Sequence, residues 1–123
     1  MSKILYIEDN EDNIFLFTRR LGKAGYEVVI ARDGVEGIAM ARSEKPALIM
    51  MDLDLPILDG WAATRLLKSS PRTASIPVIA VSAHAMAQDR RRALEAGCDS
   101  FFAKPVDMRA LVAAIEACGV GTD

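Results

Sequence analysis

A chain of 123 residues, 51% of them apolar, carries material for one folded core and leaves no room for a second. Its net charge of −2 provides no broad attraction to phosphate backbones or anionic lipid, which argues against nucleic-acid and membrane binding. No run approaches the ~18 apolar residues of a membrane span. The opening Met1-Ser2-Lys3 leads into too short an apolar segment for a signal peptide, and Cys98 and Cys118 lack metal-ligand spacing, so a cytoplasmic protein with reduced thiols is expected.

Ile4 to Ile7 is a short β-favouring run that stops at Glu8-Asp9-Asn10, a cluster suited to a loop and a helix start. From Asn13 the apolar positions Ile14, Phe17, Leu21 and Ala24 recur at helical spacing, and Gly25 stops the helix. Val28 to Ile30 reads as a second strand, Asp33 as an N-cap, Val35 to Ala41 as helix, and Pro46 as part of the connection that follows. Leu48 to Met51 forms a third strand ending at Asp52. A loop with Pro56 and Asp59-Gly60 precedes a helix carrying Trp61, Leu66 and Leu67, and Pro71 and Ser75 mark the next connection. Val78 to Val81 is the fourth strand, roughly Gln88 to Ala96 the fourth helix before Gly97, and Ser100 to Ala103 the fifth strand. Asp107 caps a last helix through Leu111, Ile115 and Cys118.

Strands alternating with helices, without strong polar alternation inside the strands, indicate an α/β fold: a five-stranded parallel sheet with five helices covering both faces. Such sheets bind ligands at the carboxyl ends of their strands. The residues found there are Glu8 and Asp9 after the first strand, Asp52 after the third, Ser82 after the fourth and Lys104 after the fifth. Three carboxylates in one crevice raise one another's pKa values unless a cation sits among them, and an all-oxygen set suits Mg2+ (or Mn2+). One carboxylate is then free to act as a nucleophile toward phosphorus. The metal, the Lys104 ammonium and the Ser82 hydroxyl would share the charge on the phosphoryl oxygens.

Glu8-Asp9-Asn10, Met51-Asp52-Leu53-Asp54-Leu55-Pro56 with Asp59-Gly60, Val81-Ser82-Ala83 and Phe101-Phe102-Ala103-Lys104-Pro105 together resemble the successive signatures of response-regulator receiver domains. The likeness spans the chain, most closely to the stand-alone regulators of chemotaxis and cell-cycle phosphorelays. It implies a flavodoxin-like, doubly wound sheet of strand order 2-1-3-4-5, with a receiver domain over 1–119, a tail over 120–123 and no output domain. It further implies that Asp52 accepts a phosphoryl group from a histidine kinase or histidine phosphotransfer protein. Glu8, Asp9 and Asp52 would hold the metal with the backbone carbonyl of Asp54, while Ser82 and Lys104 would bind the phosphoryl group. The Lys104-Pro105 peptide would be cis. Ser82 and Phe101 would form a switch that alters binding of a downstream protein at the fourth helix, fifth strand and fifth helix. Such a protein is a phosphoacceptor rather than an enzyme, with at most slow auto-dephosphorylation, and a monomer or weak dimer.

The sharpest rival is a phosphohydrolase of the haloacid dehalogenase type using Asp52 and Asp54, an Asp-x-Asp pair after a strand. That family places its pair after the first core strand, whereas here Glu8-Asp9 comes first. A flavodoxin-type small-ligand module is a third reading, but the first loop carries carboxylates where phosphate binding needs amides and hydroxyls. Asp54, an acid two residues beyond the phosphoacceptor position, and His84, two beyond Ser82, stand where access of hydrolytic water is influenced in the resembling family. His84 otherwise reads as an exposed loop residue, Arg90-Arg91-Arg92 as a solvated helix face, and Trp61 as either core filler or surface contact.

Overall fold

Ten elements alternate along the chain in the computed structural model, which describes residues 2–55, 57–83 and 87–121. They are β1 (Lys3–Ile7), α1 (Glu11–Lys23), β2 (Glu27–Ala31), α2 (Gly34–Glu44), β3 (Leu48–Asp52), α3 (Gly60–Ser69), β4 (Val78–Ser82), α4 (Ala87–Ala96), β5 (Ser100–Ala103) and α5 (Met108–Ala117). The strands form one parallel sheet in the order β2-β1-β3-β4-β5. The expected α/β architecture and strand order are therefore the observed ones.

Successive strand residues point to opposite faces, and the core divides accordingly. Leu5, Ile7, Ile49, Met51, Val78, Ala80 and Phe101 pack with Ala41 of α2, Ala63 and Leu67 of α3, and Ala93 of α4. Ile4, Tyr6, Leu48, Met50, Ile79 and Val81 pack on the other side with Phe17 and Leu21 of α1 and Leu111 and Ile115 of α5. Both faces are covered, so β3 and β4 are buried along their whole length. That is why they read as unbroken apolar runs rather than as alternating ones.

Helix starts follow the capping chemistry in the sequence. Asn10, Asp33, Asp59 and Asp107 each accept a hydrogen bond from a first-turn amide. The first helix begins at Glu11 rather than Asn13, because Asn10 supplies its cap and polar residues fill its outward first turn. The second also extends beyond Val35–Ala41, to Gly34 and Glu44. Beyond α5, Val120 is buried against the α1–α5 side, and its carbonyl accepts from the Tyr26 hydroxyl at 3.3 Å. Among the described residues no helix is long and apolar enough to cross a membrane.

Candidate functional site

The site begins where β1 stops. Glu8 has no solvent exposure, and a buried carboxylate is tolerable only when its oxygens are satisfied. Its Oε1 accepts from the Tyr6 hydroxyl (2.9 Å), Asn13 Nδ2 (3.1 Å) and Lys104 Nζ (3.0 Å), while Oε2 accepts from the amides of Asp9 (3.1 Å) and Asn10 (3.3 Å). Tyr6 and Asn13 are site residues that sequence reasoning missed. Tyr6 lies inside an apolar strand and Asn13 near a helix start, so neither announces a role. The one available signal was that Tyr6 shares a strand face with the position of Glu8, two residues on.

Asp52 closes β3 and is 3% exposed. Its Oδ1 accepts from the Asp54 amide at 3.0 Å, and its Oδ2 lies 3.5 Å from Lys104 Nζ. Asp9 is exposed at the mouth. One carboxylate oxygen each from Glu8, Asp9 and Asp52 lies within 4.8 Å of the other two, so the three acids expected to share a crevice do share one. Lys104 is brought in by its backbone N–H, which donates to the Ser82 carbonyl at 2.8 Å, and the Lys104-Pro105 peptide is cis as the resemblance implied. Ser82, fully buried at the end of β4, directs its hydroxyl toward Asp54 Oδ2 at 3.4 Å.

Strand parity explains how these side chains divide. Asp52 follows the parity of Leu48 and Met50, on the α1–α5 side with Tyr6. Ser82 follows Val78 and Ala80, on the side that also buries Phe101. Phe101 is 7% exposed and turned inward. Glu8 and Asp52 on one side and the Ser82–Phe101 pair on the other thus follow opposite faces of the sheet and meet at its carboxyl edge.

Gly60, at the start of α3, is required by close approach. A Cβ there would lie 2.5 Å from the Asp52 carbonyl oxygen and 2.6 Å from Leu53 Cα, both backbone atoms that cannot yield. The loop between β3 and α3 also holds Ile57 at φ +69°, a region that costs an L-residue roughly 1–2 kcal/mol.

Electrostatics single out Asp52. Burial, and then the neighbouring Glu8 carboxylate, push its pKa well above the usual carboxylate range, against the Asp54 amide and Lys104. Burial pushes Glu8 upward too, but its interactions with Asp52, Lys104 and Tyr6 outweigh that and hold it low. Burial, then the Glu8 charge, raises the Tyr6 phenol. Without a cation, the adjacent buried carboxylates of Glu8 and Asp52 disfavour carrying two charges and favour holding one proton between them. A divalent ion among the three acids would reverse that preference.

Asp54 is exposed. His84 lies outside the described residues. Arg90, Arg91 and Arg92 are all exposed, and the Arg92 guanidinium stacks 4.1 Å from the Trp61 ring centroid. Trp61 is half-buried against the α2–α4 side of the core, so it is core filler and helix contact together.

Comparison with known proteins agrees with this fold. Residues 4–116 match the response regulator receiver domain family. The polar-differentiation response regulator DivK of Brucella anthropi is 37% identical over 113 residues, covering 92% of each chain. The receiver domain of the sensor histidine kinase PA1611 from Pseudomonas aeruginosa, whose active-site cleft coordinates a magnesium ion, superposes with a TM-score of 0.89 at 32% identity, covering 97% of this chain and 98% of that one. The signal receiver domain of a signal transduction histidine kinase from Syntrophus aciditrophicus has a TM-score of 0.89 at 30% identity, covering 100% of this chain and 95% of that one. None of these likenesses supports the phosphohydrolase alternative. With nine-tenths of its length matched by the family model, and its acids, serine and lysine at the strand ends, the chain belongs to the response regulator receiver domains and serves phosphorelay signal transduction.

Proposed function

We propose that Asp52 is the phosphoacceptor, charged by a histidine kinase or histidine phosphotransfer protein. The observation that carries this reading is the convergence of the Glu8, Asp9 and Asp52 oxygens within 4.8 Å beside the Lys104 ammonium. The donor set is all oxygen and strongly anionic, which fits Mg2+ or Mn2+. Asp9 and Asp52 would hold the ion directly with the Asp54 carbonyl. Glu8, whose oxygens already accept five hydrogen bonds, would act through the field of its charge or through bound water. When bound, the ion neutralises charge on the phosphoryl oxygens and keeps Asp52 ionised.

The chain's own groups do the rest. The Asp54 amide fixes one Asp52 oxygen, which orients the carboxylate for in-line attack. A bond forms from Asp52 to phosphorus as the bond from phosphorus to the donor imidazole breaks. The imidazole leaves with the electron pair and takes up a proton. Lys104 then turns from Glu8 and Asp52 to a phosphoryl oxygen, and the Ser82 hydroxyl turns from Asp54 to another.

Output follows from that movement. Ser82 and Phe101 lie on the same sheet face, and Phe101 is already inward, so phosphorylation consolidates a packing of β5 against α4 rather than creating one. The surface of α4, β5 and α5 is the proposed contact for a downstream protein. The domain works in the cytoplasm as a phosphoacceptor that turns over no separate substrate, and its aspartyl phosphate decays slowly. Incubation with a phosphohistidine donor and Mg2+, followed by mass spectrometry, tests the assignment. Wild type gains one phosphoryl group on Asp52 and Asp52→Asn gains none; labelling that persists in excess chelator, or on another residue of the variant, overturns it.

A further inference from the structure

Ile57 is the most exposed large apolar side chain among the described residues, at 84%, and it is held at φ +69°. A β-branched residue in that backbone region is strained, and the fold gains nothing from the side chain in return. Its neighbours behave differently. Leu53 and Leu55 are buried in the core, and Leu58 packs against that core and Gly34, so the loop faces three of its four aliphatic residues inward and Ile57 outward. Glycine or asparagine would satisfy the backbone at lower cost, and either would remove an apolar group from water.

The loop's position indicates what that group meets. It joins Asp52 to Gly60, whose N–H donates to the Leu53 carbonyl at 3.4 Å, so Ile57 is tethered at the carboxyl edge of the sheet. Asp52 itself is 3% exposed. A protein that brings a phosphohistidine to so recessed a carboxylate must press its surface onto the surrounding rim, whereas a small phosphodonor need not. We infer that Ile57 is an apolar anchor for the phosphodonor protein, seated on it during transfer to Asp52. This rests on the phosphoacceptor reading above and adds a specificity-determining contact to it.

The test compares two donors. The first is acetyl phosphate. The second is the phosphorylated histidine kinase or phosphotransfer domain that labels the wild-type chain fastest. Burying an isoleucine side chain against a partner predicts that Ile57→Gly loses between about tenfold and a hundredfold in kcat/KM for the protein donor. Its rate with acetyl phosphate and its urea midpoint should be equal to or above wild type, because the backbone strain is relieved. Ile57→Leu, which keeps an apolar side chain, should retain most of the protein-donor rate. Wild-type transfer rates in Ile57→Gly overturn the inference. So does an equal loss with acetyl phosphate, which would mean the loop shapes the site, and so does a concentration-dependent dimer abolished by Ile57→Gly, which would make a second copy the occupant. If neither donor labels wild-type Asp52, the phosphoacceptor reading fails instead.

Discussion

Lys104 Nζ lies nearer to Glu8 Oε1, at 3.0 Å, than to Asp52 Oδ2, at 3.5 Å. The resting lysine therefore pairs first with the fully buried acid and only secondarily with the proposed phosphoacceptor. Removing one partner of a buried ion pair costs about 3–5 kcal/mol, but Glu8 retains Tyr6, Asn13 and two amides. Lys104→Met is accordingly expected to fold, with a native circular dichroism spectrum, and to lose roughly 1–3 kcal/mol in urea unfolding. Its affinity for a downstream partner should no longer respond to phosphorylation. Unchanged stability would show that the pair contributes nothing at rest.

Asp52→Asn should raise stability in the presence of chelator. Burial and the neighbouring Glu8 already disfavour the Asp52 charge, so a neutral amide of the same shape removes an unfavourable term, on the order of 1–2 kcal/mol at pH 8. Saturating Mg2+ should narrow the gap, since only the wild type offers the ion a full set of carboxylates. Chemical denaturation with and without Mg2+ measures both quantities. A variant less stable than wild type in chelator would contradict the electrostatic account.

Asp54 accepts from the hydroxyl that the phosphoryl group is proposed to claim. Its charge also faces an incoming dianion. Both effects oppose phosphorylation, so Asp54→Ala should be labelled faster by acetyl phosphate. One hydrogen bond of about 0.5–1.5 kcal/mol corresponds to roughly a two- to tenfold change. A slower rate would show that the carboxylate assists the reaction.

Cys98 gives a pH dependence away from the site. Burial pushes its thiol up to about 11 from an ordinary value near 9. The unfolded chain ionises this group first, so its contribution to stability is complete below pH 9 and is lost as pH rises through 11. Cys98→Ala should flatten that part of the stability profile, and alkylation of Cys98 at pH 9 should be slow. Equal slopes in the two proteins would place the ionisation elsewhere.

The strand ends were legible because each chemical residue terminates an apolar run: Asp52 after Met51, Ser82 after Val81, Lys104 after Ala103. The sheet order followed from the resemblance, and the strands' uniform apolarity already required helices on both faces. Tyr6 was hidden because its hydroxyl becomes functional only when the Glu8 backbone folds its carboxylate back beside it. Asn13 was hidden for the same reason, since its contact with Glu8 needs the first helix to begin two residues earlier than periodicity suggested. Ile57 could not be read at all, because sequence pattern carries apolarity but no sign of φ.

The stack between Arg92 and Trp61 also furnishes an optical reporter. Trp61 is the chain's one tryptophan, it directly follows the glycine that abuts Asp52, and its indole N–H is buried with no hydrogen-bond partner among the described residues. Its fluorescence therefore originates from a single known position, on a ring clamped by a cation from the adjoining helix at 4.1 Å. Any change in the spacing of α3 and α4 would lift that cation or admit water to the indole, shifting the emission. Rearrangement beside the acidic crevice can thus be timed in the unlabelled protein by stopped-flow spectroscopy.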